Sequence, residues 1–130
     1  MKSGKADTKT EATMKRLASL CAMLLIPVAL FAHVYQLECY PPENAVLSES
    51  PKKVTITFLG SVEPAFSKTE VFDMNGKKIS KKTTFREDDT IMETELGKNL
   101  PDGEYKVKWR CMSLDGHKQK GEYTFKIAYK

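Results

Sequence analysis

Apolar side chains at every second position, in short runs, constrain this chain more than any other feature. Val54, Ile56 and Phe58 alternate with Thr55 and Thr57. Tyr105, Val107, Trp109 and Cys111 alternate with Lys106, Lys108 and Arg110, and Tyr123, Phe125 and Ile127 alternate with Thr124 and Lys126. A period of two gathers the apolar set on one face only in an extended strand. No run of helical period is long enough to count as a helix. Between the runs stand Pro41-Pro42-Glu43-Asn44, Asp73-Met74-Asn75-Gly76, Pro101-Asp102-Gly103 and Asp115-Gly116, where Pro presets φ and Gly or Asn accepts positive φ. The pattern predicts an all-β chain with strands near 34–39, 54–58, 69–73, 77–80, 90–96, 105–112 and 121–128, and a hairpin at Asn75-Gly76. About seven strands in about 100 residues suit a single two-sheet Greek-key sandwich. Leu100-Pro101-Asp102-Gly103-Glu104-Tyr105 predicts a tyrosine corner, and Trp109 shares the inward parity of Val107.

The first part of the chain follows another logic. Leu17 to Ala32 is a sixteen-residue uncharged run preceded by Lys15 and Arg16. It is short of the roughly 20 residues a spanning helix needs, and it ends on a small residue, as secretory signals do. Residues 1–32 are therefore expected to be a signal peptide cleaved after Ala32, with residues 33–130 as the mature domain. Met14 is an alternative start, and the sequence does not choose between it and an overlong polar leader. Neither Cys21 nor Cys39 lies in a lipoprotein context.

The whole chain has formal net charge +4. Most of that excess belongs to the leader, since residues 33–130 hold 16 Lys and Arg against 15 Asp and Glu, a net +1. So balanced a domain is not expected to bind nucleic acid. Lys77, Lys78, Lys81 and Lys82 read as a solvated rim, and Glu87-Asp88-Asp89 as a solvated loop.

Cleavage would leave Cys39 and Cys111 as an even pair in an exported chain, both on inward parity, with Tyr35 and Leu37 beside Cys39 and Val107 and Trp109 beside Cys111, and a disulfide between them is the natural expectation. Two buried free thiols and a thiolate metal site are the alternatives. Cleavage would also make His33 the N-terminal residue. Its α-amine and Nδ1 then close a six-membered chelate ring on one metal, and an amine pKa of about 7.7 to 8.0 makes its deprotonation easy. Gly116 allows a bend through which Asp115 and His117 face one point. The resulting three nitrogens and one oxygen, without sulfur, favour Cu(II) by geometry and by the Irving-Williams order. No Ser-His-Asp spacing, phosphate loop, His-Glu-x-x-His or paired catalytic carboxylates is present, so an enzyme is not expected.

The mature sequence resembles the CopC family of small periplasmic copper-binding proteins. The resemblance is carried by His33 through Pro41-Pro42-Glu43-Asn44-Ala45-Val46-Leu47, by Ser50-Pro51-Lys52-Lys53-Val54-Thr55-Ile56-Thr57-Phe58, and by Leu100 through Arg110. It continues in Ser113-Leu114-Asp115-Gly116-His117 and Gly121-Glu122-Tyr123-Thr124-Phe125. It implies an immunoglobulin-like or cupredoxin-like sandwich or barrel, one Cu(II) held by His33, Asp115 and His117, and a periplasmic role in copper resistance, buffering or delivery. The chain departs from the family at Leu59-Gly60, where relatives carry an acidic residue, and in lacking a Met-rich stretch. Met74, Met92 and Met112 are scattered and read as core filling.

The expected partners are the copper ion and, as a candidate, a membrane copper permease; the mature chain is expected to be a monomer without membrane insertion. Two other functions stay open at this point: a copper monooxygenase using a histidine brace, and a metal-free sandwich interaction domain.

Overall fold

The computed structural model describes residues 34–130; the expected signal peptide, residues 1–32, and His33 lie outside the described residues. Among the described residues eight strands form: β1 Tyr35–Tyr40, β2 Val46–Leu47, β3 Lys53–Leu59, β4 Lys68–Phe72, β5 Ser80–Arg86, β6 Ile91–Leu96, β7 Gly103–Met112 and β8 Lys118–Ile127. They build two four-stranded sheets, ordered β1-β3-β6-β5 and β2-β8-β7-β4. The chain crosses between them repeatedly, and β2 joins β8 in parallel while β5-β6 and β7-β8 are antiparallel hairpins. The molecule is the expected all-β sandwich.

The alternating runs supply its core. Val54, Ile56 and Phe58 from one sheet meet Val107, Tyr123, Phe125 and Ile127 from the other, all buried. Tyr105 forms the expected corner: its hydroxyl donates to the Pro101 carbonyl at 2.6 Å, and its ring stacks on Phe125. Trp109 faces inward as expected but is only half-buried, with its ring edge-on to Phe58 at 5.5 Å. Met92 fills the core, whereas Met74 is exposed on a turn and fills nothing.

Three expectations are corrected by tertiary structure. The turn at Asn75-Gly76 does form, with Asp73 Oδ1 accepting from the amides of Asn75 and Lys77. The chain after it makes only one bridge to Phe72 before crossing to the other sheet, so the strand expected at 77–80 lies at 80–86. There it still serves β4, whose edge amides at Thr69 and Val71 donate to the hydroxyls of Thr83 and Ser80. Second, Tyr35 and Leu37 do not point inward. β1 is an edge strand whose register slips between Gln36 and Glu38, and both side chains are exposed. Third, eight strands form among the described residues where about seven were expected, because β2, with two residues, is too short to carry a period.

Candidate metal centre

The β7-β8 hairpin turns through Ser113-Leu114-Asp115-Gly116-His117, and each residue has a local reason for its place. The Ser113 amide donates to the His117 carbonyl at 2.9 Å, and the Gly116 amide donates to the Ser113 carbonyl at 2.9 Å. Gly116 has φ +88, a left-handed conformation that costs glycine least. Ser113 is buried, and its hydroxyl donates to Asp115 Oδ1 and accepts from the His117 amide. That serine holds the Asp115–His117 pair in place, a positioning role the sequence reading did not assign to it. The available signal was a hydroxyl residue opening a tight turn two positions before an aspartate.

Asp115 and His117 are brought together as expected, with His117 Nδ1 2.8 Å from Asp115 Oδ2. The Ser113 hydroxyl and then the His117 ring lower the Asp115 carboxyl to about 2, so it is anionic at neutral pH. A carboxylate that holds Nδ1 fixes the ring and assigns the outward donor role to Nε2, a recurrent arrangement around metal-binding histidines. That carboxylate stands across the ring from Nε2, so one cation can take both Asp115 and His117 only when the Nδ1 hydrogen bond opens and the ring turns. An anionic oxygen and an imidazole nitrogen on one exposed turn form a donor set that fits a divalent first-row ion.

The hairpin is tied to the rest of that end of the sandwich. Ser113 bridges to Val62, the Glu63 amide donates to the Met112 carbonyl, and Met112 donates to the Ser67 hydroxyl. Val62 in turn donates to Asp89 in the β5-β6 turn, which carries the acidic run and holds Glu87, Asp88 and Asp89 at positive φ. Val34, the first described residue, is buried at the same end, 3.7 Å from where a Cβ on Gly60 would stand. The Leu59-Gly60 segment contributes no carboxylate. Among the described residues no group of three His, Cys, Asp or Glu side chains is arranged to hold a metal. The third expected ligand residue, His33, lies outside the described residues.

Cys39 and Cys111 are free thiols in the structure, so the expected bridge is not made there. Cys39 on β1 and Cys111 on β7 do sit on opposite sheets. The polar neighbour of the Cys39 thiol, however, is the Tyr123 hydroxyl, and Tyr123 pairs with Val107, not at the level of Cys111. Parity fixes the face a side chain takes but not its height along the sandwich. Burial pushes the Cys111 thiol above its ordinary pKa, which makes it a poor nucleophile.

Fold and hairpin together define a small β-sandwich with a carboxylate–imidazole pair on the turn at one end. The chain belongs to the CopC domain family, which matches residues 37–128. It is 36% identical over 111 residues to the copper transport protein CutJ of Bacillus subtilis (strain 168), covering 84% of this chain but only 20% of that much longer protein. It is 33% identical over 113 residues to protein YobA of Escherichia coli (strain K12), covering 85% of this chain and 90% of YobA. The crystal structure of CopC from Methylosinus trichosporium OB3b superposes with a TM-score of 0.68 at 31% identity, covering 75% of this chain and 95% of that one.

Proposed function

We propose that this protein is an exported copper-binding protein that holds one Cu(II) and serves copper resistance, buffering or delivery in the periplasm. The α-amine and Nδ1 of His33, a ring nitrogen of His117 and an oxygen of Asp115 form the donor set, the hydrogen bond between Asp115 and the His117 ring giving way when the ion binds. One observation carries the reading: the Asp115–His117 pair stands on a tied-down hairpin at the end of the sandwich where Val34 is buried. His33 is covalently next to Val34, so a chain cut after Ala32 would begin at that end. Nitrogen and carboxylate donors without thiolate favour Cu(II) over Cu(I).

CutJ, named as a copper transport protein, contains the matching domain as about a fifth of its length. That supports a part in copper transport, with a membrane copper permease as the candidate partner. The deciding experiment compares protein beginning at His33 with protein carrying Gly-Ser ahead of it, by Cu(II) titration and electron paramagnetic resonance. The extension converts the amine to an amide, so affinity is expected to fall with the fold intact. Equal affinity and identical spectra would remove the terminal chelate.

A further inference from the structure

The outer face of the β8-β7-β4 sheet carries a row of like charges that folding does not require. Lys68 is paired with Arg110 across β4-β7, and Arg110 with Lys120 across β7-β8, so three cations stand side by side on neighbouring strands. Like charges directly opposite one another in a sheet are destabilising. The next row, Glu70, Lys108 and Glu122, alternates in sign as sheet stability prefers. Lys68 reaches Glu70 at 2.6 Å, whereas Arg110 and Lys120 make no salt bridge among the described residues. Residues 33–130 have a net charge of only +1, so a basic composition does not explain the row.

The row lies at the hairpin end of the sheet, beside exposed apolar side chains. Phe66 is 56% exposed and lines one depression with Arg110, Lys118 and Lys120. Leu114, in the hairpin itself, is 63% exposed. Cations flanked by a protruding aromatic side chain are the pattern of an interfacial membrane contact. An acidic protein surface would use the cations but gives no reason for the solvated Phe66.

We propose that Lys68, Arg110 and Lys120, with Phe66, seat this domain on the surface of an anionic phospholipid bilayer. The contact places the Asp115–His117 turn at the membrane surface. Lipid binding itself does not depend on the copper reading, and copper titration of the same variants keeps the two separable.

The test is vesicle co-sedimentation of the domain beginning at His33, which contains the whole core described above. Phosphatidylcholine vesicles with and without 30% phosphatidylglycerol are compared, at low salt and in 0.5 M NaCl. Binding is expected only to the anionic vesicles and is expected to be lost at high salt. Arg110→Glu/Lys120→Glu should lower partitioning at least tenfold, and the milder Arg110→Gln/Lys120→Gln should shift it in the same direction, both with unchanged circular dichroism. Phe66→Ser should weaken binding several-fold without altering its salt dependence. Absence of binding by the unaltered domain, or binding indifferent to the charge variants, overturns the proposal. So does tighter binding to poly-L-glutamate than to vesicles together with indifference to Phe66→Ser, which would assign the row to an acidic protein.

Discussion

Gly121 stands directly across the β7-β8 ladder from Trp109, and a Cβ at Gly121 would lie 2.6 Å from the indole ring. The missing side chain is the space that the indole occupies. It lets Trp109 lie over β8 and reach Phe58 on the other sheet. Gly121→Ala is therefore expected to push the ring aside and cost about 1–3 kcal/mol, the usual range for overpacking. The domain has a single tryptophan, so its fluorescence reports the change directly; an unshifted emission maximum and unchanged melting would show that the ring yields without cost.

His117→Ala removes the imidazole donor and is expected to abolish tight Cu(II) binding, whereas Asp115→Asn keeps the shape of the turn and should weaken binding less. Both should melt like the unaltered domain, since the pair is exposed on a turn beyond the core. Titration followed by electron paramagnetic resonance separates them. A spectrum unaltered in His117→Ala would place the copper elsewhere.

Ser113→Ala tests the positioning of that pair. The substitution deletes the hydroxyl that holds Asp115 Oδ1 and the His117 amide. Loss of such outer support typically costs about 10–100-fold in metal affinity. The copper site should weaken while its donor set, read from the spectrum, stays the same; Ser113→Thr should recover most of the affinity if the larger side chain fits its buried site.

Tyr123 offers a stability test. Its hydroxyl is buried with the Cys39 thiol, a weak hydrogen-bonding group, as its polar neighbour, and burial, followed by Cys39, pushes its pKa well above the ordinary value near 10. Above about pH 10 the unfolded phenol loses its proton while the folded one keeps it, so stability falls as pH rises. Tyr123→Phe should remove that alkaline contribution and, by deleting a buried hydroxyl with only a weak thiol partner, be neutral or stabilising by about 1 kcal/mol at neutral pH. Urea unfolding at pH 7 and pH 10.5 checks both parts.

Peptide mapping of the exported protein without reductant is expected to recover Cys39 and Cys111 as two thiols. Recovery of a bridged peptide would mean that oxidation moves β1 along β3.

Sequence by itself determined the faces. The period of two in Val54–Phe58, Tyr105–Cys111 and Tyr123–Ile127 was legible because each strand lies inside a sheet with one side against the core, so local pattern and burial coincide. Turn chemistry was equally local: the Tyr105 corner and the Asp115-Gly116-His117 bend follow from residues a few positions apart. Tertiary structure alone decided everything that depends on which strand lies beside which. At the sheet edge, the slipped register of β1 turned Tyr35 and Leu37 outward, because no second neighbour pins an edge strand. The segment after Gly76 left β4 for the opposite sheet, a choice its own residues do not encode. The height of Cys39 against Tyr123, the space under Trp109 and the row Lys68-Arg110-Lys120 likewise join positions up to dozens of residues apart. A periodic pattern reports an average environment for each strand, whereas register and height are set by contacts between strands that no local window contains.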